Sequence, residues 1–172
     1  SKNSTNDNQT SSGEIEVWEL TEGCICCSMQ GDFRGSVLTI ANAIDPDYLI
    51  VEPTGVGFLG NIVEDLLKIT YERLQLLHPV TVVDAKNWKR QRFEFKECWE
   101  NQVANASVVL ISKSENLSKE ERQEIVDVVL SINPNAKIPN GLYQDKPDEF
   151  WDHLLKNNMP FHGAVSSDKN SE

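Results

Sequence analysis

Three cysteines stand within four positions, Cys24-Ile25-Cys26-Cys27, the sharpest chemical feature of the sequence. Thiolates are soft ligands that favour zinc, copper(I), and thiophilic cobalt or nickel. On an extended segment Cys24 and Cys26 project to one side and Cys27 to the other. A tight loop, eased by Gly23, brings all three together instead. Three sulfurs leave one coordination position open, which suits passing a metal on better than storing it. The competing readings are a redox switch and a packed cysteine cluster. A bridge between the adjacent Cys26 and Cys27 is strained, which argues against a simple structural disulfide.

Two polar segments follow apolar runs and could handle a nucleotide. The first is Glu52-Pro53-Thr54-Gly55. A carboxylate at a strand end can hold a magnesium-bound water, and a nearby glycine lets the backbone amide approach a terminal phosphate. Taken alone, it reads rather as a Pro-Thr-Gly turn with a solvated glutamate. The second is Ser112-Lys113-Ser114-Glu115, placed where many GTPases carry Asn-Lys-x-Asp. A carboxylate there accepts hydrogen bonds from the guanine ring N–H and exocyclic amine, while the lysine stem lies along the base. Glu115 offers that chemistry on a longer stem, Ser112 replaces the asparagine poorly, and the plain alternative is a polar loop. Asp84 reads as a cap for the following helix rather than a cation ligand. Cys98, beside Trp99, reads as core. His78, His153 and His162 are scattered and read as structural or solvated.

These residues need a scaffold that brings them to one edge. Four β-branched apolar segments, Ile15 to Leu20, Tyr48 to Glu52, Val80 to Asp84 and Ser107 to Ile111, read as strands. The last three are near-continuous apolar runs, as expected of strands covered on both faces. Helical periodicity predicts helices over Phe33–Ile44 (with Val37, Ile40, Ala41 and Ile44 on one face), Asn61–Leu77, and Asn87–Asn105 with one break. Ser118 with Glu121 forms a capping box that opens a helix ended by Asn133-Pro134. Alternating strands and helices imply an α/β fold with a doubly wound, mostly parallel sheet and flanking helices. Such sheets gather ligands at the carboxyl ends of their strands, where Glu52, Asp84 and Lys113 all fall.

The sequence carries 16 basic against 27 acidic residues, a net charge of −11, which disfavours nucleic acid as a partner. No apolar run approaches the roughly 20 residues that span a bilayer, and no signal peptide is visible, so no membrane is expected and the chain reads as cytoplasmic. Residues 1–13 are too polar to fold alone and read as a linker of a longer protein, 14–145 as the main domain, and 146–172 as a short helix and flexible tail.

The stretch Glu19-Leu20-Thr21-Glu22-Gly23-Cys24-Ile25-Cys26-Cys27 resembles the Glu-Leu-x-x-Gly-Cys-x-Cys-Cys signature of the CobW family of P-loop GTPases. Glu52-Pro53-Thr54-Gly55, Val83-Asp84-Ala85, Gln102 and Asn133-Pro134 follow in the family's order. The resemblance implies a metallochaperone or insertase that couples GTP state to metal binding and serves a client metalloprotein. It implies Cys24, Cys26 and Cys27 as ligands of zinc, or of cobalt or nickel. Glu52 and Gly55 then form the switch sensing magnesium and the γ-phosphate, and Lys113 and Glu115 contact guanine. One departure stands out. No Gly-x-x-x-x-Gly-Lys-Ser/Thr occurs in these 172 residues, so the domain reads as P-loop NTPase-like but incomplete at its N-terminus. GTP and magnesium binding are expected only with that segment, and little or no GTPase activity is expected from this chain alone. The alternative reading is a non-hydrolysing metal-binding or redox-sensing module on a degenerate GTPase scaffold.

Overall fold

A computed structural model describes residues 17, 30–71 and 73–156. Cys24, Cys26 and Cys27, the expected strand 15–20, the linker 1–13 and the tail with His162 lie outside the described residues.

The two strongest apolar runs pair as expected. β1 (Val80–Asp84) and β2 (Val108–Ser112) lie parallel, with Val80 opposite Val108 and Asp84 opposite Ser112. β2 is buried at every position, which explains its unbroken apolar sequence. It begins and ends one residue later than the pattern suggested. A parallel pair needs a long crossover, here α3 (Trp88–Glu94) and α4 (Lys96–Ala104). The predicted break between them falls at Phe95, whose backbone leaves the helical region at φ −126° and ψ 44°. Beyond β2, Lys137 forms a further parallel bridge to Val108.

Alternation puts Val83, Val109 and Ile111 on one face of the pair. They pack against Trp99 and Val103 of α4 and against Ile125 and Val129 of α5 (Lys119–Ile132). Each such fully buried aliphatic side chain contributes about 1.5–3 kcal/mol. α5 begins as the sequence predicts: the Glu121 amide donates to Ser118 Oγ at 3.1 Å and the Ser118 amide to Glu121 Oε2 at 2.8 Å. Asn133 ends the helix, and its side-chain amide donates to the carbonyls of Val103, Ala104 and Ala106.

A second, smaller core joins α1 (Gln30–Ala43) to α2 (Leu59–Leu67). Phe33 and Val37 pack on Ile62, with Leu49, Val51, Leu66 and Leu74 around them. Here the sequence pattern misleads three times. The buried stripe of α1 runs through Phe33 and Val37, while Ile44 lies past the helix end and is exposed. α2 ends ten residues before the predicted Leu77, because the Thr70 hydroxyl takes the Leu67 carbonyl and the Tyr71–Leu74 bridge turns the chain. Residues 48–52 form no strand: they have no ladder partner among the described residues, and Ile50 is 84% exposed. An apolar run becomes a strand only when another strand takes its backbone groups. α6 (Asp148–Lys156) follows a 3₁₀ turn at Tyr143–Asp145, near the short helix expected there.

Candidate functional site

The carboxyl end of the β1–β2 pair is a polar edge built by short-range ties. Ser112 Oγ donates to the Val83 carbonyl at 3.2 Å, joining the strand ends, and Ser114 Oγ donates to Ile111 O at 3.4 Å. Between those serines Lys113 takes a left-handed backbone, φ 55°, a conformation costing roughly 1–2 kcal/mol for a residue with a Cβ. Its ammonium reaches back to Asp84 Oδ2 at 2.5 Å, fixing the head of a side chain whose stem stays exposed. Glu115 follows in an exposed turn. The two residues expected to contact a base thus share one solvent-facing loop.

Asp84 does more than the expected capping and is not the cap itself. The N-cap of α3 is Asn87, and Asp84 lies three residues earlier. It accepts from the Lys86 amide at 2.9 Å and the Asn87 side chain at 3.1 Å, as well as from Lys113. Desolvation pushes its carboxyl up, but the hydrogen bonds from Lys113, Asn87 and the Lys86 amide, with the charge of Lys113, outweigh it and bring the pKa down to about 2. Asp84 is therefore a carboxylate under all ordinary conditions. The Asp84–Lys113 pair spans 29 positions and leaves no local trace in the sequence.

The second predicted group lies elsewhere. Glu52 and Gly55 are exposed and border a cavity of about 1280 Å³ between the 48–55 segment and residues 76–82. Asp84, Lys113 and Glu115 do not line it. Its far wall includes Val80, Thr81 and Val82 of β1. Val82 is 61% exposed, and the ladder to β2 is the one pairing of β1 among the described residues. The Gly55 turn is closed by a hydrogen bond from the Gly57 amide to Thr54 O at 2.8 Å and is gripped by Gln102 of α4. His78, also on this cavity, has a buried Nε2 with no partner among the described residues. Burial first, then Lys137 and His153, lowers its pKa and keeps the ring neutral near pH 7.

Cys98, expected in the core, is a free, half-buried cysteine on α4 and is not among the buried core residues. Among the described residues no three His, Cys, Asp or Glu side chains converge as a metal site. No helix among them is long and apolar enough to cross a membrane.

The profile of the CobW/HypB/UreG nucleotide-binding domain matches residues 2–140. The chain belongs to that family. Its P-loop NTPase domain is an α/β fold, as the parallel β1–β2 pair and its crossover helices indicate. Among curated relatives, this CobW-family chain is 27% identical to "Zinc-regulated GTPase metalloprotein activator 1" of Dictyostelium discoideum, over 71% of its own length and 31% of that protein's. It is 25% identical to "Zinc chaperone YjiA" of Escherichia coli over 72% of its length and 40% of the relative's, and 27% identical to "Zinc chaperone YeiR" of the same organism over 62% and 33%. The chain thus spans roughly a third of the length of the curated relatives it matches. No solved structure matches it.

Proposed function

We propose that this CobW-family domain is the guanine-binding and switch part of a GTP-dependent zinc chaperone. In this reading Lys113 and Glu115 hold the guanine base, and Glu52 and Gly55 answer the γ-phosphate and its magnesium. Cys24, Cys26 and Cys27 carry the metal cargo, zinc in the first place, on its way to a client metalloprotein. The names of the relatives support zinc as the cargo.

The observation that carries the reading is Lys113. A non-glycine residue held left-handed at the carboxyl end of a parallel strand carries backbone strain, as Asp45 does after α1. That strain places the lysine stem and the Glu115 carboxylate on one exposed loop, where a flat base can lie along the first and hydrogen-bond to the second. Asp84 anchors the ammonium and leaves the stem free for the base. Among the described residues β1 pairs on one side only, which would leave its other side for a further parallel strand carrying a phosphate loop. Opening and closing of the Glu52–Gly55 segment, about 25 residues from the thiolate loop, would couple phosphate state to metal geometry.

The test is nucleotide selectivity of the full-length gene product. GTP should bind at least about tenfold tighter than ATP, and Glu115→Ala should erase most of that preference, as loss of hydrogen bonds to a charged acceptor does. Equal affinity for the two nucleotides, or a Glu115→Ala protein that still prefers GTP, would overturn the assignment.

A further inference from the structure

The two apolar cores meet across a seam of side-chain amides. Gln102 Nε2 donates to the carbonyls of Gly55 at 3.0 Å and Gly57 at 2.9 Å, filling both of its N–H positions. One residue earlier, Asn101 Oδ1 accepts from the Gly60 amide at 3.0 Å, at the start of α2. Asn105 closes the seam from below: its Nδ2 donates to Asn101 O at 2.8 Å and would lie 3.0 Å from a Cβ placed on Gly60. The seam is tied in turn to the sheet, since Thr81 Oγ1 donates to Gln102 O at 2.8 Å.

This seam fixes the height of the loop. Thr81 stands three residues before Asp84 on β1, and a strand rises about 3.3 Å per residue. The Gly55–Gly60 loop is therefore tied, through Gln102, to β1 at Thr81 and not at Asp84, where the strand meets the edge. The fastening is polar, made by three hydrogen bonds, each shifting an equilibrium by about two- to tenfold. Such a fastening lies within reach of a ligand's differential affinity.

We infer that Gln102, with Asn101 and Asn105, is a clamp that holds the Gly55–Gly60 loop withdrawn from the carboxyl edge, and that nucleotide binding must open it. The inference rests on the proposed nucleotide role of Gly55. Gln102 is a positioning residue here: it acts on the nucleotide only through the loop. A clamp that favours the withdrawn state lowers apparent affinity by the fraction of molecules left open.

Two readouts on the full-length gene product test it: amide hydrogen exchange over residues 54–61, and GTP affinity. Gln102→Ala should speed exchange in that segment by about ten- to a hundredfold and tighten GTP binding by about five- to fiftyfold. Gly60→Ala, which pushes on Asn105 from the other side, should move both readouts the same way. Unchanged exchange in both variants means there is no clamp. Faster exchange with weaker GTP binding means the seam assembles the site rather than withholding the loop, and the inference falls. Faster exchange when not even the wild type binds GTP keeps the clamp and defeats the nucleotide reading instead.

Discussion

The two halves of the molecule are built to different standards. The half containing β1, β2, α4 and α5 has a continuous core from Val83 to Val129 and ties its ligand edge with Ser112, Asp84 and Lys113. The half containing α1 and α2 has four buried apolar residues among the described ones, Phe33, Val37, Ile62 and Val63, leaves residues 48–52 without a ladder partner among the described residues, and meets the first half through amides. The first half arrives with its proposed base-binding loop already shaped. The second carries the proposed switch, and a switch must have a second position to go to.

The contrast can be broken by cutting each core. Ile125→Ala, in the large core, should cost about 2–5 kcal/mol of global stability by urea unfolding. Ile62→Ala, in the small one, should cost less globally and show instead as faster exchange confined to α1 and α2. Equal losses through one cooperative transition would mean that the halves are not distinct. Next in size is Asp84→Asn, which loosens the ligand edge by about 1 kcal/mol. Its pH signature has a fixed sign. The Asp84 carboxyl has a folded pKa of about 2 against an ordinary value of 3.8, so its stabilisation is complete above the ordinary value and drains away as pH falls toward 2. Stability of Asp84→Asn should therefore be flatter than wild type across that window, and a parallel acid profile would remove Asp84 from the account. The smallest effect is Ser118→Ala, about 1 kcal/mol or less, from loss of the capping box on an exposed helix start.

The same contrast explains what the sequence could disclose. β1, β2 and the α5 cap were legible because β-branched runs buried on both faces and a Ser-x-x-Glu cap are local signals. A single break within Asn87–Asn105 was expected from the sequence, but not its place at Phe95. Tyr48 to Glu52 has the composition of a strand, but strandedness is a property of a pair, and no pairing for it occurs among the described residues. The end of α2 depended on a single hydroxyl, Thr70, which no periodicity registers. At the site, the loop with Lys113 and Glu115 could be read from the polar run after an apolar strand, whereas the Asp84–Lys113 and Gln102–Gly55 contacts join residues 29 and 47 positions apart. The one local trace of the clamp is the amide-rich face Asn101, Gln102 and Asn105 on α4. Gln102 could be picked out by its place in the family's order, but not by what it holds.

The central claim is that nucleotide state and metal binding are coupled in one domain, and zinc affinity addresses it most directly. Titrated with zinc after reduction, the full-length protein should bind with affinities that differ at least about fivefold between its GTP and GDP states, the lower range of measured allosteric couplings. The site should vanish when Cys24, Cys26 and Cys27 are replaced by Ser. Identical affinities in the two nucleotide states, or a stoichiometric zinc site that survives the triple replacement, would contradict the account.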